Sequence, residues 1–139
     1  KYQKSCISAI RVPKEAVSRY GIADVDSVEE NIFKIKRMVE KPSVEKAPSD
    51  LAAHGAYILK PEIFDLLESL KPGKGGEVWL VDAINQLITK EPVYAVEIQN
   101  GKYYDTGNKL EYLKAVVEFG LRHEELRGEF GEYLKKLKI

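Results

Sequence analysis

The stretch from Gln99 to Ala115 constrains the fold most, because it runs a strand, a turn and a helix together without a gap. Asn100-Gly101 is a strong hairpin signal, since both residues tolerate positive φ. Before it, Tyr94, Val96 and Ile98 alternate with Ala95, Glu97 and Gln99, the period of a half-buried strand. After it, Lys102-Tyr103-Tyr104 reads as a short return strand that delivers Asp105 into a Thr106-Gly107 turn. A helix follows, with Asn108 as N-cap and Glu111 at the capping-box position. Leu110, Leu113, Val117 and Leu121 share one face of it. An acid just before a helix N-terminus sits where the helix dipole favours negative charge. Asp105 is therefore placed to hold a hard cation such as magnesium. One oxygen ligand is not a site, and a turn carboxylate that merely caps the helix has the same spacing.

The rest of the chain supplies layers for that hub. Cys6 to Val12 reads as a buried strand ending at Pro13, and Lys14 to Tyr20 as two helical turns opened by that proline. Gly21 breaks the helix, Ile22 to Val25 makes a short strand, and Asp24, Asp26 and Ser27 suggest a turn. Asp26, Glu29 and Glu30 lack EF-hand spacing and read as exposed turn acids. Asn31 to Glu40 is a strand with Phe33, Ile35 and Val39 inward. Pro42 is expected to hold Lys41 extended, so that Glu40 and Lys41 leave the strand in different directions. Ser43 to Asp50 is a polar loop long enough to act as a flap. Leu51 to Leu59 is a strand with Gly55 in its middle, where either a bulge or a close-approaching ligand explains the glycine.

Pro61 opens a helix with Ile63, Leu66, Leu67 and Leu70 on one face, stopped by Pro72-Gly73. Gly73-Lys74-Gly75-Gly76 resembles a phosphate cradle, but it lacks the G-x-x-x-x-G-K-[ST] spacing and reads as a helix–helix connection. Val81, Ile84, Leu87 and Ile88 make the next helix amphipathic. Trp79 near its start reads as packing. Leu126, Phe130, Tyr133, Leu134 and Leu137 form a last amphipathic helix, weakened by Gly128 and Gly131. This order of elements gives an α/β fold, a mixed sheet with flanking helices.

Composition excludes several classes. At 139 residues the chain fits a single domain. Lys plus Arg and Asp plus Glu number 22 each, so no basic excess marks a nucleic-acid footprint. The single Cys6 excludes an internal disulfide and a cysteine metal cluster. No apolar run approaches a membrane span and no signal peptide appears, so a cytoplasmic setting is expected. His54 has the chemistry of a general base, yet no Ser or Cys is spaced to be activated by it. His123 at a helix end reads as a cap. The chain opens on Lys1 without an initiator Met and enters a strand almost at once. That is expected of a piece of a longer polypeptide, although a processed or tagged protein would look the same.

Candidate ligand positions gather at strand ends and strand glycines: Gly21, the pair Glu40-Lys41 with Gly55, and Asp105. In open α/β sheets ligands collect where strands end. A carboxylate accepts from sugar hydroxyls, a lysine holds a phosphate as a point charge, and a glycine admits a ligand to the backbone. With an aspartate for magnesium, these chemistries describe a sugar-phosphate site.

The residues also resemble a known family. Tyr20-Gly21-Ile22, Val39-Glu40-Lys41-Pro42, Ala47 to Ala52 (APSDLA), Gly73 to Glu77, Leu80 with Asp82-Ala83-Ile84, and Tyr104-Asp105 with Gly107 recur in the order of the bacterial UTP–glucose-1-phosphate uridylyltransferases (UDP-glucose pyrophosphorylases), within the sugar nucleotidyltransferases. The resemblance runs from about Ser8 to Leu137 and is to the C-terminal half. It implies the C-terminal part of a nucleotide-diphospho-sugar transferase (Rossmann-like) fold, with residues 1–139 as one sugar-binding portion. It implies that Gly21 approaches the hexose, Glu40 binds glucose hydroxyls, Lys41 binds the sugar-linked phosphate, and Gly55 lines the pocket. Asp105 is implied as one of two magnesium aspartates, with Tyr103 and Tyr104 shaping the pocket beside it; Lys41 and Asp105 are the implied catalytic residues. Glu77 and Asp82 are read as structural or at a subunit contact.

The implied reaction joins UTP and glucose 1-phosphate, in a homo-oligomer with Mg2+. The sugar phosphate attacks the α-phosphorus in line with departing pyrophosphate. Ala56 stands where the family often has Arg, Thr106 where Cys is frequent, and Trp79 and Val81 where more polar residues occur. The family's G-x-G-T-R triphosphate loop is absent, so this chain alone is expected to be inactive. A non-catalytic sugar-phosphate-binding or self-association module, and a relative using dTTP or ATP, are the alternatives.

Overall fold

The computed structural model describes residues 1–73 and 76–137. They fall into two compact units, Lys1–Gln99 and Asn100–Ile139. No helix among the described residues is long and apolar enough to cross a membrane.

The first unit carries β1 (Cys6–Arg11), a 3-10 helix (Lys14–Arg19), β2 (Gly21–Glu29), β3 (Ile32–Glu40), β4 (Leu51–Ile58), α1 (Glu62–Ser69), α2 (Leu80–Lys90) and β5 (Tyr94–Glu97). The strands do not stay an open sheet. They close in the order β1-β4-β2-β3-β5, with β5 returning to β1 in parallel and every other pairing antiparallel. The sheet is mixed and helices flank it, as the α/β reading expects.

Side-chain alternation feeds two cores. Ala23 of β2 and Leu51 of β4 join Ile7, Phe33, Ile35 and Met38 beneath α1 and α2, which contribute Ile63, Leu66, Val81, Ile84 and Leu87. The neighbouring Ile22 and Ala52 point the other way, onto Val12 and Val17. Val44 and Ala47 of the 43–50 loop pack on that second cluster. A cavity of about 500 Å³ lies among Val12, Val17, Val44 and Asp50 and does not include Glu40 or Lys41.

The structure corrects several local expectations. Asp24, Asp26 and Ser27 lie within β2 rather than in a turn; the hairpin turns at Glu30 and Asn31. The acids are tolerated there because Lys36 Nζ lies 2.9 Å from Asp24 and 3.3 Å from Asp26, and Arg37 Nε 3.1 Å from Asp24. In β5 the buried residue is Ala95, preceded by buried Val93, so Val96 and Ile98 line the opposite face. Lys74 and Gly75 of the glycine-rich connection lie outside the described residues.

An ionic clasp holds the start of the chain to this unit. Glu91 Oε2 accepts from Lys4 and Lys60, each at 2.9 Å, and Glu91 Oε1 is buried without a partner among the described residues. Ser5 completes it: its Oγ accepts from Lys60 N at 3.0 Å, and its carbonyl from Tyr94 N at 3.0 Å. The Lys60 ammonium, then that of Lys4, holds the Glu91 carboxyl below its ordinary range. A depressed carboxylate stabilises the fold above its unfolded pKa, and that contribution is lost as pH falls through the folded value. Glu91→Gln is therefore expected to lower the melting temperature by about 5 °C near neutrality. The gap from the parent should begin to narrow as pH falls past the ordinary glutamate value of about 4.3 and close once pH is below the lowered folded value; thermal melts across pH check both.

The second unit is α3 (Lys109–Arg122) and α4 (Arg127–Lys136) with the segment leading into them. Asn100 has φ +55, as the turn signal requires. The expected return strand does not form: Lys102–Tyr104 joins no ladder. Instead Lys102 and Tyr104 both donate to Glu118 of α3, and the Tyr104 ring packs 5.8 Å from Phe119. Side-chain anchoring to the helix replaces backbone pairing. Gly120 lets the two helices meet, since a Cβ there would lie 2.8 Å from the Phe130 ring.

Candidate functional site

The site is built at the end of β3, and a bulge aims it. Phe33 and Ile35 point inward at odd positions. Opposite them, Val25 pairs with Ile35 while Asp24 pairs with Arg37, so Lys36 is the extra residue. A bulge shifts the alternation by one. Beyond it Met38 is buried in place of the expected Val39, and Glu40 takes the same parity as Met38. Glu40 is consequently mostly covered, its side chain 19% exposed.

Gly21 pairs with Glu40 across the hairpin. A Cβ on Gly21 would lie 3.1 Å from Glu40 Oε2 and 3.2 Å from Val81 Cγ2. Glycine is thus what gives the carboxylate room between β2 and α2.

Lys41 is not extended, contrary to the expectation from Pro42. Its φ is +43, a region few non-glycine residues adopt, at a cost of about 1–3 kcal/mol. Its amide donates to Tyr20 O at 3.0 Å, which holds the turn. The twist brings Lys41 Nζ to 3.8 Å from Glu40 Oε1 rather than sending the two apart. The lysine side chain is 60% exposed, so a cation stands at the rim beside a covered acid.

β4 adds a residue that the sequence reading missed. Gly55, at φ +82, sits where the β1–β4 register slips between Ile7 and Ala9, with Ser8 Oγ donating to Ala56 O at 3.2 Å. An added Cβ there meets nothing within 4 Å, so the bulge conformation and not crowding calls for glycine. Two residues on, burial and then the negative charge of Glu40 push the Tyr57 phenol above its ordinary pKa. Tyr57 therefore stands within the field of the site acid. An aromatic two positions after a strand glycine was the signal available for it.

Asp105, Tyr103 and Tyr104 belong to the second unit. Asp105 Oδ1 accepts from Gly107 N at 3.1 Å, and Asp105 O from Asn108 N at 2.9 Å. Asn108, not Asp105, caps α3, its Oδ1 accepting from Leu110 N at 3.0 Å and Glu111 N at 3.2 Å. Tyr104 is committed through its hydroxyl to Glu118. Lys102, then Tyr104, holds the Glu118 carboxyl below its ordinary range. Among the described residues no three His, Cys, Asp or Glu side chains cluster as a metal site. Asp105 offers one hard oxygen donor, which suits a cation that takes only one or two protein carboxylates and completes its shell with water and phosphate.

A family model for nucleotidyl transferase matches residues 1–120. The chain belongs to the nucleotidyl transferase family. A Haemophilus influenzae family member, UTP–glucose-1-phosphate uridylyltransferase, is 46% identical over 96% of this chain and 46% of its own length. A solved UDP-glucose pyrophosphorylase complexed with UDP-glucose superposes with a TM-score of 0.83 at 39% identity, covering 88% of this chain and 46% of that one. A UTP-bound enzyme of that type from Acinetobacter baumannii also scores 0.83, at 38% identity over 98% of this chain and 46% of that one. This chain therefore spans a little under half the length of the family members it matches.

Proposed function

We propose that this chain is the sugar-phosphate-binding part of a UTP–glucose-1-phosphate uridylyltransferase. The observation that carries the reading is the end of β3, where a covered carboxylate and an exposed ammonium stand 3.8 Å apart opposite a glycine. The names of the similar proteins point to the same substrates. Glu40 would accept from glucose hydroxyls while Gly21 leaves the sugar room against the backbone. Lys41 would hold the phosphate of glucose 1-phosphate and offset its repulsion from a second anion. Gly55 would line the sugar side, and Tyr103 and Tyr104 the pocket beside Asp105. Asp105 would give one oxygen to Mg2+, which when bound neutralises charge on the phosphates. The remaining catalytic work is positioning, since phosphoryl chemistry of this kind needs no protein nucleophile. A cytoplasmic homo-oligomer is the expected setting.

The test is a chimera in which this chain replaces the matching segment of the Haemophilus influenzae relative. It is expected to form UDP-glucose from UTP and glucose 1-phosphate with Mg2+. The 139-residue chain alone is expected to show no turnover. Asp105→Asn in the chimera should raise the Mg2+ concentration needed for half-maximal rate. An inactive but folded chimera, or an unchanged metal requirement, would count against the corresponding role.

A further inference from the structure

Asn85 on α2 makes a contact that none of the roles above uses. Among the described residues, the end of β3 has a strand on one side only. β2 pairs with it along its length, but β5 pairs only with Ile32, Phe33 and Lys34, and the last bond on that edge runs from Ile35 N to Val93 O. Met38 lies beyond this point and is 3% exposed. Its backbone groups would be buried without partners, at about 1–3 kcal/mol for an unsatisfied group.

The Asn85 carboxamide supplies both partners. Its Oδ1 accepts from Met38 N at 2.7 Å, and its Nδ2 donates to Met38 O at 2.9 Å. A carboxamide carries the same donor and acceptor as a peptide unit, so one side chain continues the ladder where β5 leaves it. The same helix seats Val81 against Gly21 and is anchored by fully buried Ile84 and Leu87. Glu40 follows Met38 by two residues on the same parity, and Lys41 then takes its left-handed φ.

We propose that Asn85 is a positioning residue for the sugar-phosphate site, holding the end of β3 in the register that sets Glu40 opposite Gly21 and the Lys41 amide on Tyr20 O. The assignment to that substrate rests on the proposed function; the assignment to Glu40 and Lys41 rests on the geometry alone. Asn85 does not itself reach the ligand in this scheme. It acts through Met38.

The test compares the 139-residue chain with Asn85→Ala and Asn85→Asp by amide hydrogen exchange and by titration with glucose 1-phosphate, read at the Lys41 amide. In Asn85→Ala the Met38 and Lys41 amides should lose protection by about tenfold or more, while those of Ile7 and Ala9 on β1 keep theirs. In Asn85→Asp near neutrality the carboxylate still accepts from Met38 N but faces Met38 O with a second acceptor, so protection falls. As pH drops toward about 4 the carboxyl gains a proton, can donate, and protection should return. That pH-dependent rescue is not expected of a residue that only fills space, and it serves if Asn85→Ala does not fold. Unchanged protection in Asn85→Ala, or a pH-independent Asn85→Asp, overturns the proposal. If the parent chain shows no response to glucose 1-phosphate, the substrate reading is what fails, and exchange alone decides on Asn85.

Discussion

Lys41→Ala in the chimera is expected to lower kcat/KM for UDP-glucose formation about a thousandfold, the scale seen when a preorganised charge at a reacting oxyanion is removed. Two features make the effect large. The ammonium would meet the attacking phosphate, which must approach a second anion in the transition state, so its loss is felt there more than in ground-state binding. Its backbone is also already twisted to φ +43, so the direction in which the side chain leaves the strand is set before substrate arrives. Lys41→Arg should recover little, because the guanidinium fork is wider and longer than a point charge. Alanine also leaves the strained φ in place, so the variant should stay folded and the loss should appear in kinetics, not in melting. Steady-state rates with glucose 1-phosphate varied would check this, and near-normal turnover would remove Lys41 from the site.

The largest stability effect is expected at Leu87→Ala, a loss of about 3 kcal/mol by analogy with other fully buried leucines. Leu87 is 1% exposed and belongs to the core that α2 shares with Ile7, Ile35 and Met38. The cavity cannot readily collapse, because the facing strands close on themselves. Denaturant titration of the chain would measure the loss, with the midpoint moving and the slope unchanged if the transition stays two-state. Leu87 packs in the same core as Met38, so the same substitution should also loosen the Met38 amide before global unfolding. A loss under about 1 kcal/mol would mean that α2 is not the wall of the core that its burial implies.

What the sequence disclosed followed its local signals. The α1 and α2 faces came from 3.6-residue spacing, with Ile63, Leu66, Val81, Ile84 and Leu87 all buried. The Asn108 cap came from residue type and position. Glu40, Lys41 and Gly21 were legible as a group, but their arrangement was not. An extra residue at Lys36 has no sequence signature, so the parity that buries Met38 and turns Glu40 inward could not be counted. The steric rule for a residue before proline pointed Lys41 the wrong way because the tertiary bond from its amide to Tyr20 O overrides it. Closure of the sheet and the hold of Asn85 on Met38 are long-range pairings that no window along the chain contains. That the return strand after Gly101 does not form was likewise not foreseeable: the bonds of Lys102 and Tyr104 to Glu118, 16 and 14 residues on, are side-chain contacts that no local window shows.

The bulge at Lys36 also dictates which genetic changes this strand can absorb. Side-chain swaps on its solvent face leave the phase of the pleat untouched. Deleting Arg37 would remove the extra residue, and plain alternation from Ile35 would still turn Met38 inward and set Glu40 opposite Gly21. The bulge is thus a spare residue, and a one-codon loss at that point is a change the acid's placement can survive.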